Sequence, residues 1–203
     1  MTQAEREYYE SNTMATYTGR RVNPLALKPE DIDIRDIAHA LSQICRFNGH
    51  CKRFYSVAEH SWLVSRIAAR EVAKLHGAGV GESAEVAACG LLHDAGEAYL
   101  GDIIRPLRCR QQYKLIDELQ ENVQAQLFAH FGVHDYDIVH TVDRKLVLVE
   151  GAQLFPNDVS VQQFPATQKY SEWHVGMMSP DEAEDAFLAR FKALGLEARL
   201  AGH

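Results

Sequence analysis

Apolar residues return every three or four positions along most of the 203-residue chain, which predicts helices rather than strands. The run SVAEHSWLVSRIAAREVAKL opens with Ser56 and Glu59 at capping-box spacing and predicts a helix reaching about Leu75. A glycine-rich loop, HGAGVGES, follows it. Glu82 to about Tyr99 then reads as a second helix, rich in alanine and leucine, which Gly101 and Pro106 stop. From Gln112 to Phe131, Leu115, Leu119, Val123 and Leu127 repeat every four residues, and Gly132 supplies the end signal. Ile138, Val142, Leu146 and Val149 form the stripe of a further helix within DYDIVHTVDRKLVLVEGAQLF. Ser179, Pro180, Asp181 and Glu182 give a cap, an N1 proline and a first-turn acid pair to a last helix, which runs to about Leu194 and ends at Gly195. Nearer the start, IRDIAHALSQICRF predicts a helix from about Asp36, and TYTGRRVNPLALKPEDID before it reads as loop or a short hairpin. The predicted class is all-α.

With 46% hydrophobic residues the chain fills one core and is marginal for two, so a single domain over 1–203 is expected, its core at about 18–194. A net charge of −7 and a pI near 5.8 argue against a surface for nucleic-acid polymers. The start, MTQAEREYYESNT, lacks the apolar stretch of a signal peptide, and no apolar run approaches the ~18 residues of a membrane span. Cys45, Cys51, Cys89 and Cys109 show no CxxC spacing and read as scattered reduced thiols. A cytoplasmic protein with no membrane partner is expected.

One stretch changes this bland picture. GLLHDAGEAYLGDIIRPLR places His93, Asp94 and Glu97 on one side of the second predicted helix, three or four residues apart. Unpaired carboxylates there resist burial, and a divalent cation reverses that penalty. The preceding helix offers His60 and a later one offers Asp143 inside an apolar stripe, giving H…HD…D on three helical elements. Taken singly, each of these residues is as well explained by an ordinary surface or helix-end position. Together they point to a metal site open to water.

These segments carry a family likeness. SVAEHSWLV, LLHDAGEAYLGDIIRPLR and VDRKLVLVEG resemble the signature segments of HD-domain nucleotide phosphohydrolases. The nearest likeness is to compact bacterial and prophage 5'-deoxynucleotidases and to phage dATP triphosphohydrolases. DIAHALSQICRFNGHCKRFYSVAEHS and SPDEAEDAFLARF fit the same compact branch, so the likeness runs from about Thr18 to Leu194. It implies a compact helical bundle with an irregular N-terminal segment. It implies one divalent ion per chain (Mn, Co, Zn or Fe) on His60, His93, Asp94 and Asp143, with Mg accompanying a triphosphate substrate. It gives Glu97 the part of orienting or deprotonating the attacking water and Asp102 that of a second acid near the substrate. It makes Arg20 and Arg108 phosphate contacts and a homodimer the expected assembly.

Around this set the residues leave alternatives open. Arg21, Arg105, Arg110 and Lys114 add charge that serves a phosphate or simply a solvated face. Asp102 satisfies turn amides equally well. Gly96 departs from the family by standing inside the HDxxE turn, where a mid-helix glycine costs ~1 kcal/mol against alanine. His140, three residues before Asp143, stands where some relatives carry a basic phosphate contact, which makes that contact pH-dependent here. His39 reads as a core-edge residue and His50 as a structural loop histidine, while Gly132 spoils a second metal pair at His130 and His134. The expected activity is hydrolysis of a deoxynucleotide 5'-phosphate ester. Release of triphosphate from a deoxynucleoside triphosphate, a non-catalytic nucleotide or metal sensor, and an oxidative di-iron enzyme are the rivals.

Overall fold

The computed structural model describes residues 1–76, 80–108, 111 and 114–200. Helix α1 (Gln3–Glu10) precedes a small antiparallel hairpin of β1 (Met14–Ala15) and β2 (Arg21–Val22), registered Met14 opposite Val22. Then come α2 (Ile34–Gln43), α3 (Val57–His76), α4 (Val80–Leu92), α5 (Glu97–Leu100), α6 (Arg105–Arg108) and α7 (Lys114–Phe131). The chain closes with α8 (Asp137–Leu154), α9 (Val159–Gln162), α10 (Pro165–Lys169), α11 (Pro180–Ala193) and α12 (Leu196–Leu200). The fold is all-α apart from the hairpin. No described helix is long and apolar enough to cross a membrane.

Helix α3 is the axis of the bundle, packed against α2, α4, α8 and α11. Val64, Ala68, Leu91, Leu92, Leu146 and Phe187 are buried where these faces meet. Phe131 of α7 meets Phe191 of α11 edge-on at 5.3 Å between centroids, closing the far side. Each such side chain contributes ~1.5–3 kcal/mol on burial, so the bundle rests on its core rather than on its caps. The hairpin is tied on by polar contacts: Asp36 accepts from Thr18 N at 2.6 Å and from its hydroxyl at 2.9 Å, and Tyr17 stacks on His39 at 3.7 Å.

Several expectations need correcting. The second helix does not run unbroken to Tyr99. α4 ends at Leu92, and Ala95, Glu97 and Ala98 donate to residues three back (Leu92, Asp94 and Ala95) instead of four. The backbone is wound more tightly there, as in a 3-10 turn. Helix α2 starts at Ile34, capped by Asp33, not at Asp36. Leu115 leaves the apolar stripe of α7 and is 70% exposed, while Val123 and Leu127 are buried as expected. Ser56 accepts from Glu59 N at 3.1 Å, but the Glu59 carboxylate does not return to complete a capping box. It accepts from Met177 N and Met178 N, both at 2.8 Å, and so moors the stretch before α11. The box at Ser179 and Glu182 is fully formed.

Close packing of α3 on α4 has a single-residue cause. A Cβ on Gly90 would stand 2.8 Å from Ser65 Cα and 2.9 Å from Ser65 N, and backbone atoms cannot rotate away. Ser65 Oγ donates to Ala87 O at 2.7 Å across the same seam. Gly90→Ala therefore destabilises the protein by ~1–3 kcal/mol, the overpacking cost exceeding the ~1 kcal/mol gain in helix propensity. Urea denaturation measures it, and a variant as stable as the wild type would show that the helices can part without penalty.

Candidate metal centre

Three elements bring the chemistry together because α3 and α4 approach so closely. His60 lies in the first turn of α3, His93 and Asp94 lie just past the end of α4, and Asp143 lies midway along α8. One ligand atom each from His60, His93 and Asp143 falls within a 4.8 Å cluster. His60 Nε2 is 3.1 Å from Asp143 Oδ1, and Asp94 Oδ2 is 3.2 Å from His93 Nε2 and 3.7 Å from His60 Nε2. Three of the four residues read as ligands from the sequence form this cluster, and the fourth, Asp94, lies against its two histidines.

The imidazoles are oriented from behind. His93 Nδ1 lies 2.9 Å from Gly90 O, and a carbonyl only accepts, so this nitrogen carries the proton. His60 Nδ1 lies 2.6 Å from Glu150 Oε1. With each Nδ1 so engaged, the two Nε2 atoms face inward, buried beside Asp94 and Asp143, and are the atoms that would offer lone pairs to a cation. A buried polar atom left unpaired costs ~1–3 kcal/mol, and a cation held by two imidazoles and two carboxylates removes that cost. The donor set fits a divalent ion. The Nδ1 partners are the outer supports that such sites use to fix ring orientation.

Behind the ligands stands a layer that sequence reasoning missed. Glu150, fully buried, also accepts from Tyr55 Oη at 2.6 Å and lies 3.4 Å from Arg46 Nη2. Arg46 Nη1 lies 3.5 Å from Asp94 Oδ2, so one guanidinium spans a candidate ligand and the support of another. Gln124 of α7 holds the tightened turn. Its Oε1 accepts from Gly96 N at 3.0 Å and its Nε2 donates to Leu92 O at 2.7 Å, satisfying backbone groups that the broken helix leaves open. A Cβ added at Gly96 would fall 3.4 Å from Gln124 Oε1 of α7.

These charges set one another's protonation. Burial and the Arg46 charge oppose protonation of His60, but Glu150 and Asp143 outweigh them and raise its pKa to about 9. Burial likewise opposes a charged His93, and Asp94 overcomes it and raises the pKa. Burial disfavours the Asp94 anion, yet His93, His60 and Arg46 hold its carboxyl well below the usual range, and Asp143 is lowered by the two histidines against the same burial. Without a cation the carboxylates draw both imidazoles toward their protonated forms, and a metal competes with those protons.

Beside the cluster opens a cavity of about 550 Å3, lined by Asp94, Glu97, Asp143, Glu121, Gln124 and His140 among others. Glu97, at the start of α5, is buried on its wall. His140 Nε2 pairs with Asp135, 2.8 Å from Oδ1, on the same lining. Asp102 follows α5, half-buried and outside that lining. Of the basic residues read as phosphate contacts, the described side chains of Arg20, Arg21, Arg105 and Lys114 do not line it. Arg20 donates to Glu30 O at 2.7 Å and pairs with Asp33 at 3.1 Å, and Arg21 donates to Thr13 and Ser11 and lies over Tyr8. Arg105 is exposed on α6, and Lys114 pairs with Glu118 at 3.8 Å. The side chain of Arg108, and both Cys109 and Arg110, lie outside the described residues. His39 sits at the core edge, its Nδ1 2.9 Å from Glu184, and His50 is an exposed loop residue. Gly132, at φ +60, ends α7 between His130 and His134.

A family model described as HD domain matches residues 42–150, a stretch holding the four clustered side chains, Arg46 and Glu150. The chain is 32% identical to the Escherichia coli (strain K12) protein YfdR over 186 residues, 88% of this chain and 93% of that one. It is 41% identical over 118 residues to the Rhodobacter capsulatus protein RCAP_rcc00048, covering 57% of this chain and 56% of that protein. Both relatives are described as uncharacterized, so the likeness carries the family and no substrate.

Two outcomes follow from the centre's chemistry. The His60 and His93 pKa values are raised, so protonation of each stabilises the metal-free protein fully below the unfolded value of ~6.5, and the contribution is lost as pH rises through the folded value, about 9 for His60. Metal uptake must expel those protons, so Mn2+ affinity climbs from pH 6 to pH 9 and binding releases protons, as calorimetry in two buffers of different ionisation enthalpy would reveal. A flat affinity over that range would contradict the assignment. Glu150→Gln, which keeps the shape and removes the charge behind His60, weakens Mn2+ binding by ~10–100-fold in the same titration.

Proposed function

The chain belongs to the HD-domain family, and on that footing we propose that it is a metal-dependent phosphohydrolase acting on nucleotides, with deoxynucleoside 5'-monophosphates as the preferred substrates. The observation that carries this reading is the union of the His60, His93, Asp94 and Asp143 cluster with a cavity whose wall presents Glu97. A volume of about 550 Å3 falls within the range of small-molecule pockets and admits a mononucleotide.

The roles follow from placement. A divalent ion on the four ligands supplies Lewis acidity toward a phosphoryl oxygen and a water of lowered pKa. Glu97 accepts the proton of the attacking water and orients it for in-line attack. Gln124 holds the turn between Asp94 and Glu97, keeping ligand and base in register. His140, steadied by Asp135, offers the phosphate a basic contact from the described lining.

That lining also separates two substrates. Glu97, Glu121, Asp135 and Asp143 line the cavity, and among the described residues no arginine or lysine does. A triphosphate brings several negative charges into this acidic surround, whereas a monophosphate brings at most two, which the ion offsets. The balance favours ester hydrolysis to a nucleoside and orthophosphate over release of triphosphate. A base that can activate water beside the cluster favours an enzyme over a sensor.

Incubation with dAMP and separately with dATP, each with Mn2+, Co2+ or Zn2+, identifies the product. Nucleoside and orthophosphate from dAMP are expected. Triphosphate from dATP would reverse the substrate choice, and silence across a wider nucleotide panel with metal bound would leave a sensor. Glu97→Gln lowers kcat by ~10²–10⁴-fold while Mn2+ affinity stays near that of the wild type. Wild-type turnover in that variant would remove Glu97 from the chemistry.

A further inference from the structure

Two of the described thiols are neighbours, although all three described cysteines are free. Cys45 Sγ and Cys51 Sγ lie 3.9 Å apart, and Arg46, the guanidinium behind the metal cluster, is mounted on the loop between them. The chain reverses there through Phe47, Asn48 and Gly49, all at positive φ (57°, 52° and 74°). Both ends of the loop are anchored. Cys45 bridges to Ser56 and Arg46 N donates to Tyr55 O at 2.9 Å, while Lys52 N donates to Leu154 O at 2.9 Å. Both cysteines are half-buried and reachable, whereas Cys89 is fully buried.

We propose that Cys45 and Cys51 form a redox modification site, whose reversible disulfide draws Arg46 away from Asp94 and loosens the metal centre. A low-molecular-weight disulfide such as oxidised glutathione is the oxidant. One cysteine thiolate attacks it, forming a mixed disulfide and releasing one reduced thiol. The second cysteine, as its thiolate, then attacks the protein sulfur, expelling the other thiol. Two Sγ–H bonds are lost, one Sγ–Sγ bond forms, and two electrons and two protons pass to the oxidant.

The mechanical consequence follows from the anchors. A disulfide needs its sulfurs at ~2.05 Å with a defined dihedral angle, so the gap of 3.9 Å must close. The outer ends are held by sheet-like and loop hydrogen bonds, Arg46 N among them, so the movement falls on residues 47–50 and on the Arg46 side chain. With its charge near Asp94, Asp143 and Glu150, Arg46 (+1) and a dication (+2) balance three carboxylates (−3), the imidazoles being neutral. Displacing Arg46 removes this balance and frees Asp94 to turn from its ligating pose. Arg46 is thus a positioning residue under thiol control. This inference rests on the metal-centre reading above.

The test pairs a covalent readout with a binding one. The full chain is equilibrated with oxidised or reduced glutathione, alkylated and digested with trypsin, which cuts after Arg46 and so separates the two cysteines. Peptides DIAHALSQICR and FNGHCK should appear joined, at their combined mass less two hydrogens, in the oxidised sample alone. Mn2+ titration of the oxidised protein should show affinity lowered by at least ~10-fold, restored by reductant. A Cys45→Ser/Cys51→Ser double variant should bind like the reduced wild type under both conditions. Absence of the joined peptides overturns the modification site, and joined peptides with unchanged affinity overturn its control of the metal. A reduced wild type that takes up no Mn2+ overturns the metal-centre reading, and the switch with it, whatever the peptide map shows.

Discussion

The ring of His60 must satisfy two nitrogens in a space that water does not reach. Its Nδ1 is answered by the buried carboxylate of Glu150, and its Nε2 faces Asp143, Asp94 and the equally buried Nε2 of His93. Much of the local structure follows from this constraint. Glu150 cannot be buried as an anion without partners, and Tyr55 and Arg46 supply them. Arg46 in turn needs a second carboxylate, which Asp94 provides. Charges that would each be costly alone support one another as a set that a dication would complete.

The scaffold serves that set by allowing close approach. Gly90 lets α4 lie against Ser65 of α3, which delivers His93 to His60 from the end of one helix to the start of the other. A helix continuing regularly past Leu92 would carry Asp94 and Glu97 round at α-helical spacing. The tightened turn, held by Gln124, instead places one beside the histidines and the other on the cavity wall. Packing, turn geometry and electrostatics thus converge on the same few residues.

How much of this the sequence discloses depends on where each signal is written. The H…HD…D pattern and the helices were legible, because metal-type side chains interrupting apolar stripes are a local anomaly. Glu150 was harder to see: it stands seven residues beyond Asp143, on the same side of α8, but looks like an ordinary acid at the end of an apolar run. Arg46 looks like any loop arginine, and its burial is created by α3 and α8 closing over it. The break after Leu92 has no local signal, since alanine and leucine spacing continues through it and its stabilising partner comes from α7. Arg20 and Arg21 show a different limit. Their basic character was plain, but Asp33, Glu30, Thr13 and Ser11 engage them nearby. The thiol pair stayed hidden because three consecutive residues at positive φ fold Cys51 back onto Cys45.

The most direct test of the account is X-ray absorption at the zinc edge on the purified chain loaded with one equivalent of Zn2+. The account predicts one tightly held ion per chain in a shell of two imidazole nitrogens and carboxylate oxygens, at ~2.0–2.2 Å. A shell of oxygens alone, sulfur in the shell, or no retained ion would contradict it.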